Sequence, residues 1–292
     1  MDSWDEIRTA YQVARMGTVS GAAEVLGVHH ATVIRHIDAL EAQLGVKLFQ
    51  RHARGYTATE AGADLLLVAQ ATDDQFTQLA GRIRGQGEGI SGELLVTSLV
   101  AFSPLLTPVM ARFQQDHPGL VVRFLTGDRL FRLEYGEAHV AIRAGAAPDQ
   151  PDNVVQPFFV QNMTLAASRG YVERYGLPKD VDDFANHSFV GHENDNSRAP
   201  FNRWLLAHAP AARITYRTMD NQSMRDAILY GAGIGFVPVW EASLIDDLVE
   251  VLPAQPEWSV PLWLVTHVDL HRTPKVQAFL TYLKDAAKGW TC

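Results

Sequence analysis

The apolar positions of the first sixty residues recur with a helical period and are punctuated by glycines. Trp4, Ile7, Tyr11 and Ala14 stand three and four apart, one face of an amphipathic helix that Gly17 ends. Thr18 is placed to cap a short second helix in which Ala22, Ala23, Val25 and Leu26 allow close packing, and Gly27 stops it. After a very short turn, Val33, Ile37, Leu40 and Leu44 form a stripe at i, i+4, i+7 and i+11 that predicts a third helix with Gly45 past its end. Three short helices with one tight turn predict a helix-turn-helix. The segment KLFQRHARGYTAT then reads as two short extended pieces about an Arg-Gly turn, a two-stranded wing.

The period changes twice more. Thr59 with Glu60 opens a long helix in which Leu65, Ala69, Thr72, Phe76, Leu79 and Ile83 recur at spacings of 4, 3, 4, 3 and 4, the seam of a coiled coil, and such a helix wants a partner. Gly85, Gly87, Gly89 and Gly92 follow, a hinge and the clearest domain boundary. Beyond it, β-rich runs at Glu93 to Leu99, Leu120 to Leu125, Val140 to Ile142, Met163 to Ala167, Ser188 to Val190, Ile214 to Thr218, Gly235 to Val239 and Leu262 to Thr266 alternate with helical stretches. Ser103-Pro104 starts the first of those helices. This alternation predicts open, mostly parallel sheets with ligand crevices at the carboxyl ends of strands.

Composition narrows the picture. At 292 residues with 47% hydrophobic and 20% charged residues, the chain reads as an ordinary protein of two or three domains. The only cysteine, Cys292, excludes an intramolecular disulfide and a thiolate metal cluster. No apolar run is long enough to span a membrane, and the acidic start MDSWDEIRTA is unlike a signal peptide, so a cytoplasmic location is expected. A net charge of −8 argues against a protein that coats nucleic acid, yet Val28 to Thr57 carries four Lys/Arg against two Asp/Glu and four histidines besides. Within it, the third helix turns Ala31, Thr32 and Arg35 away from its apolar stripe, with Ile34 and His36 on opposite flanks. The adjacent His29 and His30 make no metal site, since neighbours at a helix start point apart and no acid or cysteine completes the set. Hydrolase, nucleotidase and zincin motifs are absent, and the GAGIG run at Gly231 to Gly235 precedes a strand where a dinucleotide loop would follow one; no enzyme activity, cofactor or metal is expected.

Several stretches together resemble the LysR-type transcriptional regulators: GTVSGAAEVLGVHHATVIRHIDALEAQLGVKLFQR, then TATEAG, then FQQDHPGLVVRFLTGD, HVAIRAG, GAGIGFVPVW and TPKVQAFLTYL. The resemblance covers essentially the whole chain. It departs at His29 and Ile34, where the family often has serine, and at His139, where it usually has aspartate. What it implies is a multidomain α+β chain: a winged helix-turn-helix DNA-binding domain over residues 1–58, a linker dimerisation helix and hinge over 59–90, and an effector-binding domain over 91–292 resembling periplasmic binding proteins. The first of its two α/β lobes would take about 91–160 and 267–292, the second about 161–266.

Double-stranded operator or promoter DNA, a small-molecule effector, a second copy as dimer or dimer of dimers and, for an activator, RNA polymerase are the implied partners, with no membrane. Candidates for DNA contact are Thr18, His29, His30, Ala31, Thr32, Ile34, Arg35, His36, Arg51 and Arg54. Candidates for the effector pocket are residues near strand ends, Ser98, Val100, Phe102, Thr126, Gly127 and Arg143, with Phe201, Asn202, Asn221, Phe236 and Pro238 from the second lobe. Aromatic walls with few polar groups and a guanidinium suit a small, partly apolar anion. The alternative is a small-molecule binding protein or transferase whose first domain only dimerises; the basic wing and Arg35 favour the regulator.

Overall fold

The computed structural model describes residues 4–52, 55–83, 90–127 and 129–290, with residues 71, 74, 75, 77–83 and 135 described by backbone alone. The first unit contains α1 (Trp4–Met16), α2 (Val19–Leu26), α3 (His30–Leu44), β1 (Phe49–His52) and β2 (Gly55–Ala58). Val33, Ile37 and Leu40 of α3 are completely buried against Ala10, Val13 and Ala22, each contributing about 1.5–3 kcal/mol. Thr18 accepts a hydrogen bond from Gly21 N at 3.1 Å, the expected cap. The antiparallel wing pairs Phe49 with Ala58 and His52 with Gly55, and Tyr56 N donates to Gly17 O at 2.8 Å. Gly55 is required there, because at φ +145 a Cβ would strike the Gly17 carbonyl oxygen.

The linker helix α4 (Glu60–Ile83) presents two faces. Leu65, Ala69, Thr72 and Phe76 join Trp4, Ile7 and Tyr11 of α1 along an apolar groove of about 690 Å³. The opposite face meets the carboxy-terminal α/β part: Gln70 Nε2 lies 3.0 Å from His139 Nε2, both residues are buried, and His139 Nδ1 accepts from Leu95 N at 2.9 Å. Leu79 and Ile83 of the expected seam lie outside the described side chains, and the expected hinge lies outside the described residues as far as Gly89.

The carboxy-terminal α/β part continues as β3 (Gly92–Ser98), α5 (Ser103–Asp116), β4 (Leu120–Thr126), β5 (Val140–Ala144), β6 (Asn153–Gln161), β7 (Met163–Ser168), α6 (Arg169–Tyr175), β8 (Phe189–His192), α7 (Pro200–His208), β9 (Ile214–Thr218), α8 (Asn221–Leu229), β10 (Gly235–Pro238), α9 (Val239–Ala242), β11 (Leu248–Leu252), β12 (Val260–His267), α10 (Val268–His271) and α11 (Pro274–Ala287). The first lobe is a sheet ordered β4-β3-β5-β12-β6, with α5 and α11 packed on one face through Phe113 and Phe279. The second lobe holds β10-β7-β11 and the pair β8-β9.

Three expectations need correction. The sheets are not mostly parallel: the five-stranded sheet is mixed, since β12 runs antiparallel to β5 and β6 while β3 runs parallel to β4 and β5, and the three-stranded sheet is antiparallel throughout, β7 pairing with β10 and β11. The run at Leu262 to Thr266 belongs to the first lobe, whose second segment therefore starts near Val260 rather than at 267: β12 finds its hydrogen-bond partners in β5 and β6. Two strands, β6 and β11, were not expected. The chain crosses between lobes at Asn162 and returns at Ser259, and Ser259 Oγ donates to Asn162 Oδ1 at 2.7 Å, tying the two crossings together.

Candidate functional site: helix-turn-helix face and inter-lobe cleft

The outward face of α3 is assembled by what its other faces bury. His29 occupies the cap position without a side-chain cap bond, and His29, His30, Ala31 and Arg35 are exposed with Thr32 half-buried beside them. The two flanking candidates turn inward. Ile34 packs against the core under α3, and His36 Nδ1 lies 2.9 Å from Thr9 Oγ1 on α1. A rotation of 100° per residue places both at the flanks, but the position of α1 decides that they are covered.

The wing is fastened to α3 by a buried carboxylate. Glu41, 3% exposed, accepts from Leu48 N at 3.0 Å and Phe49 N at 3.2 Å, and from Lys47 Nζ at 2.6 Å. Burial alone would raise its pKa, but these hydrogen bonds outweigh it and hold the carboxyl below the usual carboxylate range. Arg51 pairs with Asp38 at 2.5 Å and reaches Glu41 at 3.4 Å, so it braces the wing on α3, and its hydrogen bond to Asp38 keeps it firmly charged. Arg54 lies outside the described residues. Lys47 remains largely exposed at the root of the wing.

Between the lobes lies a second cavity of about 600 Å³, suited to a small metabolite. It gathers Ser98, Gly127 and Arg143 among the expected residues. Arg143 Nη2 donates to Phe131 O at 3.0 Å and Nη1 to Gln150 Oε1 at 3.3 Å, both neutral acceptors. Burial pushes its pKa down, with the nearby Glu134 charge acting in the opposite sense. Ser98 Oγ is buried without a hydrogen-bond partner.

The other expected pocket residues do not line this cavity. Val100 is exposed, Phe102 is buried under α5, and Thr126 points to solvent at the end of β4. Phe236 is part of an aromatic cluster with Phe201, Trp204 and Trp258, the core wall beneath α7. Pro238 pairs with Met163 in the sheet, and Asn221 is exposed in the first turn of α8. Asn202 is buried and donates to Ser197 Oγ at 3.0 Å, which secures the loop that carries Arg198. Arg129, Phe131, Gln150, Arg198 and Arg203 line the cavity and were missed. For Arg198 and Arg203 the available signal was a pair of arginines flanking Pro200 at a helix start.

Residues 4–63 match the bacterial regulatory helix-turn-helix protein, lysR family, and residues 87–288 match the LysR substrate binding domain. The HTH-type transcriptional activator IlvY of Salmonella typhimurium is 28% identical over 241 residues, covering 80% of this chain and 81% of that protein. Among solved structures, ArgP from Mycobacterium tuberculosis superposes with a TM-score of 0.72 at 20% identity, covering 99% of each chain. Full-length LysG from Corynebacterium glutamicum with bound effector Arg gives 0.71 at 16% identity, again over 99% of each.

Proposed function

From the premise that this chain belongs to the LysR-type transcriptional regulators, DNA-binding proteins by family, we propose that it binds operator DNA as a dimer or dimer of dimers and answers to a small anionic metabolite held between its lobes. The observation that carries the reading is the outward face of α3. The small or basic side chains of His29, His30, Ala31 and Arg35 stand clear of the core at the helix start, where a recognition helix meets base edges in the major groove. Lys47, 72% exposed at the root of the wing, is placed to reach phosphates.

The apolar groove beside α4 supports the dimer. Trp4, Val68 and Phe76 are each more than half exposed there, a contiguous apolar surface that a second α4 would cover. Two reading heads joined in this way bind two half-sites at once, and the local concentration of the second head adds affinity without a new contact.

The cleft supports the effector role. The Corynebacterium relative carries arginine as its effector, but a cationic side chain finds no carboxylate among the described residues lining this cavity, so the effector here differs in charge. A gel shift with the DNA upstream of the gene, in excess unrelated duplex, tests the reading. Retarded operator for the wild type and weakened binding for Arg35→Ala support it; equal binding to any duplex refutes it.

A further inference from the structure

We infer that the inter-lobe cleft takes a ligand with two separated anionic groups, a dicarboxylate or a phosphorylated carboxylate, held by Arg143 from the first lobe and by Arg198 and Arg203 from the second. The inference rests on the reading of the cleft as the effector site and deepens it to a ligand class.

Charge bookkeeping around the cavity gives the argument. Arg129, Arg143, Arg198 and Arg203 line it, and no Asp, Glu, Lys or His does so among the described residues. Arg129 is already neutralised by Glu137 at 2.8 Å and lies over the Phe131 ring at 4.6 Å. For the other three guanidinium groups no described carboxylate stands within ion-pair distance. A cation entering the cleft would meet three like charges, and a single carboxylate would compensate only one lobe. A guanidinium keeps its proton throughout, so the excess positive charge cannot be relieved by titration.

Position divides the charges into two binding points. Arg143 sits on β5, half-buried, its donors spent only on the Phe131 carbonyl and the Gln150 amide oxygen. Ser98 Oγ, buried and unpartnered at the end of β3, is a hydroxyl donor for an anionic oxygen in the same cavity. Across the cleft, Arg198 precedes α7 and Arg203 lies within its first turn. The cap residue of α7, Ala199, offers no side-chain acceptor to the first N–H groups, so the positive end of the helix dipole adds to the two arginines. Across the cleft the arginines of the two lobes repel one another; a ligand anionic at both ends reverses that sign and draws the lobes together.

Calorimetry on the full-length protein tests this with four- to six-carbon dicarboxylates and three-carbon phosphorylated carboxylates, against butyrate as monoanion and putrescine as dication. The expected result is a dianion bound at least about tenfold more tightly than butyrate. The Arg198→Gln/Arg203→Gln double variant should lose that advantage while its circular dichroism is unchanged, and Arg143→Gln should weaken dianion and monoanion alike. Equal binding of butyrate and every dianion, or a double variant that keeps the advantage, overturns the inference. Uptake of butyrate alone, abolished by Arg143→Gln, or of putrescine alone overturns it while leaving the cleft as the effector site; binding of no probe of any charge removes both.

Discussion

Replacing Glu41 separates the stability of the reading head from its charge. In Glu41→Ala, Leu48 N and Phe49 N lose their acceptor while remaining in a site where Leu48 and Phe49 are 1% and 3% exposed. A buried donor without a partner costs about 1–3 kcal/mol, so the two together cost about 2–6 kcal/mol. In a domain of this size that lowers the melting temperature by about 10 °C or more. Glu41→Gln keeps an Oε1 to accept both N–H groups and loses the pairs with Lys47 and Arg51, whose side chains are 72% and 38% exposed; each loss is worth no more than about 1 kcal/mol. The pH dependence has a definite sign. Because the folded carboxyl titrates below its ordinary value, the contribution of its charge is fully present above the ordinary unfolded carboxylate range and is lost as pH falls through the lower folded value. Calorimetric melting of wild type and both variants between neutral and acid pH checks this. The difference between wild type and Glu41→Gln should shrink toward zero on acidification. Equal destabilisation by Ala and Gln, or a difference that grows in acid, would refute the reasoning.

Other expected outcomes follow from the same contacts. Arg35→Ala should cost on the order of 1–3 kcal/mol at one base position if the guanidinium reads a base, seen as relaxed specificity in a titration of operator variants. Val68→Asp with Phe76→Asp should sediment as a monomer where the wild type sediments as a dimer or larger, because both side chains are more than half exposed in the α4 groove; a wild-type dimer left intact by the double variant would contradict dimerisation through α4. Gln70→Ala should loosen the packing of α4 on the first lobe, read as faster amide exchange at Leu95 and around Leu133 to Tyr135, with a stability loss of about 1 kcal/mol. Gly62→Ala should destabilise the wing and linker by more than Gln70→Ala, since its Cβ would strike the Leu48 carbonyl oxygen; a neutral melting temperature would contradict this.

How much of this was legible in the sequence follows from the range of the forces involved. The stripe Val33, Ile37, Leu40 and the caps at Thr18, Gly27 and Gly45 are local, and the sequence displays them directly. Whether His36 faces DNA or Thr9 depends on a neighbour 27 residues away, which periodicity does not carry. The strand β6 reads poorly because Pro157 interrupts it, and a proline is tolerated there since β6 is the edge of its sheet. The lobe to which β12 belongs is decided by pairing with β5 and β6, more than a hundred residues distant in part. In the cleft, Ser98 and Arg143 were visible as polar residues near strand ends, whereas Arg198 and Arg203 sit in a polar loop and a helix start like any solvated surface. Only the crossings at Asn162 and Ser259 bring them opposite the first lobe.

Nuclease footprinting of the purified full-length protein on the DNA upstream of its gene tests the central claim most directly. A dimer with one α3 per chain should protect two half-sites whose centres lie a whole number of helical turns apart, about 10 base pairs per turn, with protection weakened in Arg35→Ala. Protection spread evenly over unrelated duplex, or a footprint unaltered by Arg35→Ala, would contradict it.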